Sequence, residues 1–98
     1  MASANSYLVG MLVNLKAVFT DSDGNPVDPD TVVCKVRVPT VSDLALLTII
    51  KDSVGVYQSN YSLVDAIPGT YLYRWEGTGT VQAAGEGSFR VVKSKVIL

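Results

Sequence analysis

Apolar and polar residues alternate along most of this chain, and the alternation has a period of two. In residues 13–19, Val13, Leu15, Ala17 and Phe19 share one side and Asn14 and Lys16 the other, the pattern of a half-buried strand. Residues 31–38 repeat it, with Val32, Cys34, Val36 and Val38 opposite Val33, Lys35 and Arg37, so that Cys34 falls among core-facing valines. Residues 56–63 carry Tyr57, Ser59, Tyr61 and Leu63 in the same step. Further on, Tyr71, Tyr73 and Trp75 alternate with Leu72, Arg74 and Glu76, which predicts a central strand with an aromatic inner face. Residues 81–84 and 87–93 read as two halves of a last hairpin or bulged strand, with Phe89 and Val91 inward. Tyr71, Tyr73, Trp75 and Phe89 are the expected core anchors.

Turn formers punctuate these strands. Residues 20–30 concentrate Asp, Gly, Asn and Pro and predict a long solvated loop. Residues 39–43 and 51–55 turn the chain again, and Pro68-Gly69 predicts a type II turn, with Pro68 presetting its φ and Gly69 accepting a positive one. No helical period competes. Short strands separated by turns at intervals of about eight to twelve residues predict an all-β, antiparallel sandwich. At 98 residues the chain makes a single domain, residues 1–98, with residues 1–6 as an N-terminal arm and residues 94–98 as a C-terminal contact tail.

Two segments do not fit a lone sandwich. Residues 44–50 read as one more strand, but it is apolar on both faces: Leu44, Leu46 and Ile50 share one side, Ala45, Leu47 and Ile49 the other. A two-layer domain can dry only one of them. The chain also closes on Val96, Ile97 and Leu98. Leu44, Leu46, Leu47, Ile49, Ile50, Val96, Ile97 and Leu98 are therefore expected at a contact with other subunits, the inward face of residues 44–50 being left open. A mean hydropathy of +0.30 agrees with some apolar surface being covered.

Composition narrows the chemistry. Eight Lys and Arg against nine Asp and Glu give a net charge of −1, which supplies no counterion-release drive, so nucleic acid is not an expected partner. No run of about 18 apolar residues exists to form a spanning helix, and the N-terminal stretch lacks a basic leader, so no membrane association or signal peptide is expected. There is no histidine, hence neither the commonest general base nor the commonest zinc ligand. Cys34 is the only cysteine, which excludes an internal disulfide and leaves it a packed hydrophobe without a base to activate it. Ser22, Ser53 and Ser88 lack such a base too. Asp21, Asp23, Asn25, Asp28 and Asp30 could cage a calcium ion, but Gly24 comes fourth where an EF-hand loop needs its glycine sixth, and Val32 holds the twelfth position, where a bidentate Glu is needed. Gly77, Gly79, Gly85 and Gly87 precede no helix and read as turn and bulge glycines, not a phosphate cradle. No catalytic residue, metal site or cofactor is expected, and no enzyme.

The segment Pro68-Gly69-Thr70-Tyr71-Leu72-Tyr73-Arg74-Trp75 resembles the Gly-x-Tyr corner that opens the sixth strand of immunoglobulin-like domains. The resemblance makes Tyr71 the corner residue and implies an immunoglobulin-like sandwich of about seven strands. Tyr73 stands where an antibody domain has its second cysteine, so the domain is not of antibody type. More specifically, Lys51-Asp52-Ser53-Val54-Gly55-Val56-Tyr57, the stretch from Pro68 through Gly79 with its Tyr-Arg-Trp-Glu-Gly run, and Val81 through Phe89 resemble small structural proteins of tailed bacteriophages. The resemblance spans nearly the whole chain, including its leading strand and the loop after it. It implies a virion protein made in the host cytoplasm: a neck or head–tail connector, or a capsid decoration, contacting capsid, portal or tail proteins and repeated as a homo-oligomer within the particle. The rival expectation is an immunoglobulin-like binding module that recognises a host-surface carbohydrate or protein through its loops.

Overall fold

A computed structural model describes residues 5–39, 44–93 and 96. Eight strands follow one another: β1 (Asn5–Leu8), β2 (Leu12–Val18), β3 (Thr31–Arg37), β4 (Leu44–Leu46), β5 (Ile50–Ser53), β6 (Val56–Ser62), β7 (Gly69–Thr78) and β8 (Ala83–Val92). They form a five-stranded sheet in the order β1-β8-β7-β3-β4 and a three-stranded sheet in the order β2-β6-β5. No helix occurs among the described residues. The two sheets form an all-β, immunoglobulin-like sandwich whose only cysteine, Cys34, is a buried thiol without a disulfide. The strand count is eight where about seven were expected, and the larger sheet is mixed, because β1 runs parallel to β8. Asn5 and Ser6, expected in an arm, belong to that extra strand.

The core is built by the period-two positions. Val13 and Leu15 from β2, Cys34 and Val36 from β3, Tyr57 from β6, Tyr71 and Trp75 from β7 and Phe89 and Val91 from β8 are buried together. Tyr71 stacks on Phe89 with ring centroids 5.2 Å apart, and Tyr61 of the opposite sheet tilts against both rings. Tyr73 is only half-buried, the least enclosed of the four anchors. The Tyr71 hydroxyl donates to the Ile67 carbonyl at 2.7 Å, tying the β6–β7 loop to the sheet as a tyrosine corner does. The turn in that loop falls earlier than expected: Ala66 N–H donates to the Leu63 carbonyl and Asp65 carries φ 60°, while Gly69, at φ 144°, already opens β7.

Residues 44–50 are not one strand. Leu44–Leu46 pairs with β3 in the first sheet, and Ile50–Ser53 pairs with β6 in the second, so the chain changes sheets between them. The crossing is held from both sides, Leu47 N–H donating to the Cys34 carbonyl at 3.0 Å and Ser59 Oγ–H to the Thr48 carbonyl at 2.7 Å. The alternation survives the crossing, with Ala45, Leu47 and Ile49 half-buried and Leu44, Leu46 and Ile50 exposed. Leu47 and Ile49 pack on the domain's own core, so theirs is the inward face that the sequence pattern left open. The glycines of β8 do not break it either: it is a continuous ten-residue strand, not two halves.

Loop 20–30 is more than a solvated connector. The Asp21 carboxylate accepts from the N–H groups of Asp23 and Asn25, closing the loop on itself. Asp28 reaches across to the other sheet, accepting from Lys51 Nζ at 2.8 Å, Gly55 N–H at 2.8 Å and the Tyr57 hydroxyl at 2.9 Å. These donors, Lys51 foremost, lower the Asp28 pKa to about 2. Gly55 has φ 74°, and a Cβ there would press on the Phe19 and Val27 backbones, so only glycine closes this joint.

Candidate interaction face

The outward face of the five-stranded sheet is set by register. Leu44, Arg37, Leu72 and Ser88 lie side by side across β4, β3, β7 and β8, and Leu46, Lys35, Arg74 and Glu86 form the next row. Each alternates along its strand with an inward residue, so all project away from the core. Leu44, Leu46 and Leu72 remain 47%, 71% and 51% exposed. A depression of about 480 Å³ runs among Lys35, Arg37, Leu44, Leu72, Arg74 and Glu86.

The charges here are arranged, not scattered. Glu76 binds Lys35 Nζ at 3.4 Å and Arg74 Nε at 2.6 Å, and Arg74 Nη1 reaches Glu86 at 2.9 Å. The Arg74 hydrogen bond, followed by that of Lys35, holds Glu76 below its ordinary carboxylate pKa, and the two glutamates raise that of Arg74. Exposed pairs of this kind add little stability, but they fix the orientation of the long side chains that border the leucines. Arg37, seated between Leu44 and Leu72, has no ion-pair partner among the described residues.

The predicted contact residues are thus divided. Leu44 and Leu46 lie on this face, and Ile50 lies on the three-stranded sheet. Leu47 and Ile49 turn inward. Val96 is largely exposed, and Ile97 and Leu98 lie outside the described residues. Leu72 and Arg37 were missed as surface participants, although Leu72 did leave a signal, as an apolar residue on the otherwise polar side of β7. No group of three or more His, Cys, Asp or Glu that could hold a metal occurs among the described residues. Cys34 is enclosed by apolar neighbours, and burial raises its pKa to about 11. Ser22, Ser53 and Ser88 are exposed and sit apart, on loop 20–30, β5 and β8.

Comparison with protein-family models, with curated proteins and with solved structures finds no match to this chain.

Proposed function

We propose that this protein is a non-enzymatic structural component of a tailed-bacteriophage particle, acting as a neck or head–tail connector or as a capsid decoration, and that it docks through the leucine face of its five-stranded sheet. The observation that carries the docking reading is the exposure of Leu44, Leu46 and Leu72 on a face where Lys35, Arg74, Glu76 and Glu86 are already paired among themselves. A sheet face that sets exposed leucines among oriented charged side chains offers the mixture of apolar and polar surface found at protein–protein interfaces. Burying what remains exposed of the three leucines would contribute roughly 2 to 5 kcal/mol before association costs, modest for one pair of molecules but useful when symmetry repeats the contact. The phage assignment is supported by the resemblance of residues 51–57, 68–79 and 81–89, which here fall on β5 to β8 and their turns.

The test is incorporation. Leu46→Lys with Leu72→Lys should leave the melting temperature nearly unchanged, because both side chains already stand in water, and should keep the protein out of purified particles. Wild-type incorporation of the double variant would overturn the face assignment, and absence of the native protein from particles would overturn the virion reading.

A further inference from the structure

On the side of the sandwich away from β4 and β5, two sheet edges lie open. β8 pairs with β1 only from Phe89 to Val92, so the outer edge of residues 83–88 has no strand partner among the described residues. β2 ends the other sheet and pairs only with β6. Proteins usually protect such edges with proline, a bulge or inward charge. Residues 83–88 have none of these: their register with β7 is unbroken, and their one charge, Glu86, is held by Arg74.

Between the two edges a groove of about 370 Å³ opens from Lys16–Thr20 on one wall to Ala83–Glu86 on the other, with Tyr73 and Trp75 among its lining residues. The inward positions of β8 along it are Ala83 and Gly85, and Gly87 follows in the same series beyond it. The Tyr73 phenol lies over Gly87, whereas a Cβ on Gly85 would meet nothing within 4 Å. Trp75 is the register partner of Gly85, and both line the groove. The Trp75 indole N–H is buried without an acceptor, the only such buried side-chain polar atom among the described residues. Orphaned buried donors are rare and call for a partner. Lys16 supplies the charge on the β2 wall and has no ion-pair partner among the described residues.

We infer that this groove is a strand-addition site, taking an extended segment of a partner polypeptide that hydrogen-bonds through its backbone to residues 83–88, sets an apolar side chain over Gly85 and turns a carboxylate toward Lys16. A six-residue edge is about 20 Å long, the span of an extended peptide and too long for a compact ligand. Unpaired strand edges recognise another strand by main-chain hydrogen bonds and select its alternate side chains by pockets. The inference does not depend on the leucine face.

Trp75 is the only tryptophan, so its indole N–H gives a single signal. The probe is a capped hexapeptide alternating valine with threonine and glutamate, with a control carrying proline at its centre. Binding of the first peptide should shift the indole signal and protect from exchange the alternate amides of residues 83–88 that face away from β7, and the proline control should do neither. Gly85→Val, which the backbone and the open space accommodate, should weaken binding about tenfold by filling the pocket. Lys16→Glu should weaken it too, and Leu46→Lys should not change it. The inference is overturned if millimolar peptide protects nothing, if Gly85→Val or the proline control binds equally, or if the amides of residues 83–88 that face away from β7 are already protected in the isolated protein.

Discussion

The hydroxyl of Ser59 donates to the carbonyl of Thr48 at 2.7 Å, and this bond pins the crossing segment to the three-stranded sheet. Ser59 is fully buried, so no water can replace the contact without entering the core. Ser59→Ala should cost about 1 kcal/mol and lower the melting temperature by about 4 to 8 °C in a domain of this size. Thermal unfolding followed by circular dichroism measures it. An unchanged midpoint would mean that Leu47 and its bond to Cys34 hold the crossing alone.

Acid should loosen the loop anchored by Asp28. The folded-state pKa, about 2, lies below the ordinary carboxylate value near 4, so the anchor stabilises the fold fully above that ordinary value. Its contribution fades as pH falls from about 4 to 2, because protons then bind the unfolded chain first. Asp28→Asn should be less stable at neutral pH and should lose less stability over that acid range. Melting temperatures of both proteins at a series of pH values give the comparison.

Removing the corner bond is a cleaner experiment. Tyr71→Phe keeps the stacked ring against Phe89 and loses only the donation to Ile67, so it should cost about 1 kcal/mol with the core intact. Denaturant unfolding should show a lower midpoint and an unchanged slope.

Cys34 reports on opening of the core. Its thiol is enclosed and its pKa is raised, so a thiol-specific reagent should label the native protein only as fast as the sandwich opens. Labelling at the rate of an exposed cysteine would contradict the enclosure.

Chelators should have no effect on stability. Asp21 is turned into its own loop and Asp28 is engaged by Lys51, Gly55 and Tyr57, so these carboxylates are committed to separate donors. A drop of several degrees in melting temperature with excess EDTA would show a bound ion.

The strands most legible in the sequence were those with one face in water. Residues 13–19, 31–38 and 56–63 alternate because the sandwich dries one side of each, and the Gly-x-Tyr corner is readable because its hydrogen bond spans four residues. Residues 44–50 misled because the inward series Ala45, Leu47, Ile49 continues through the change of sheet. Periodicity records which way a side chain points and not which sheet receives the backbone. β1 was hidden for a related reason, since its partner lies at the far end of the chain. The leucine face was half-visible: Leu44 and Leu46 stood out, but their meeting with Leu72 depends on register across β3. The groove beside Trp75 could not be read at all, because Gly85 and Gly87 looked like interruptions when they are inward positions of one strand.

The parallel pairing of Asn5 with Phe89 joins the earliest described strand to the last. On a ribosome, β1 emerges with no edge to join until almost the entire domain has followed it. Every other pairing in the five-stranded sheet can form earlier, from segments closer in sequence, so the β1 clasp closes the largest loop and should close last. Until then the Phe89–Val92 edge of β8 is also bare, and the newly made domain passes through a state in which all ten residues of that edge lack the partner that, among the described residues, β1 gives to four of them. Crowded nascent copies are at greatest risk of pairing with one another in that interval, and the four residues of β1 bring it to an end.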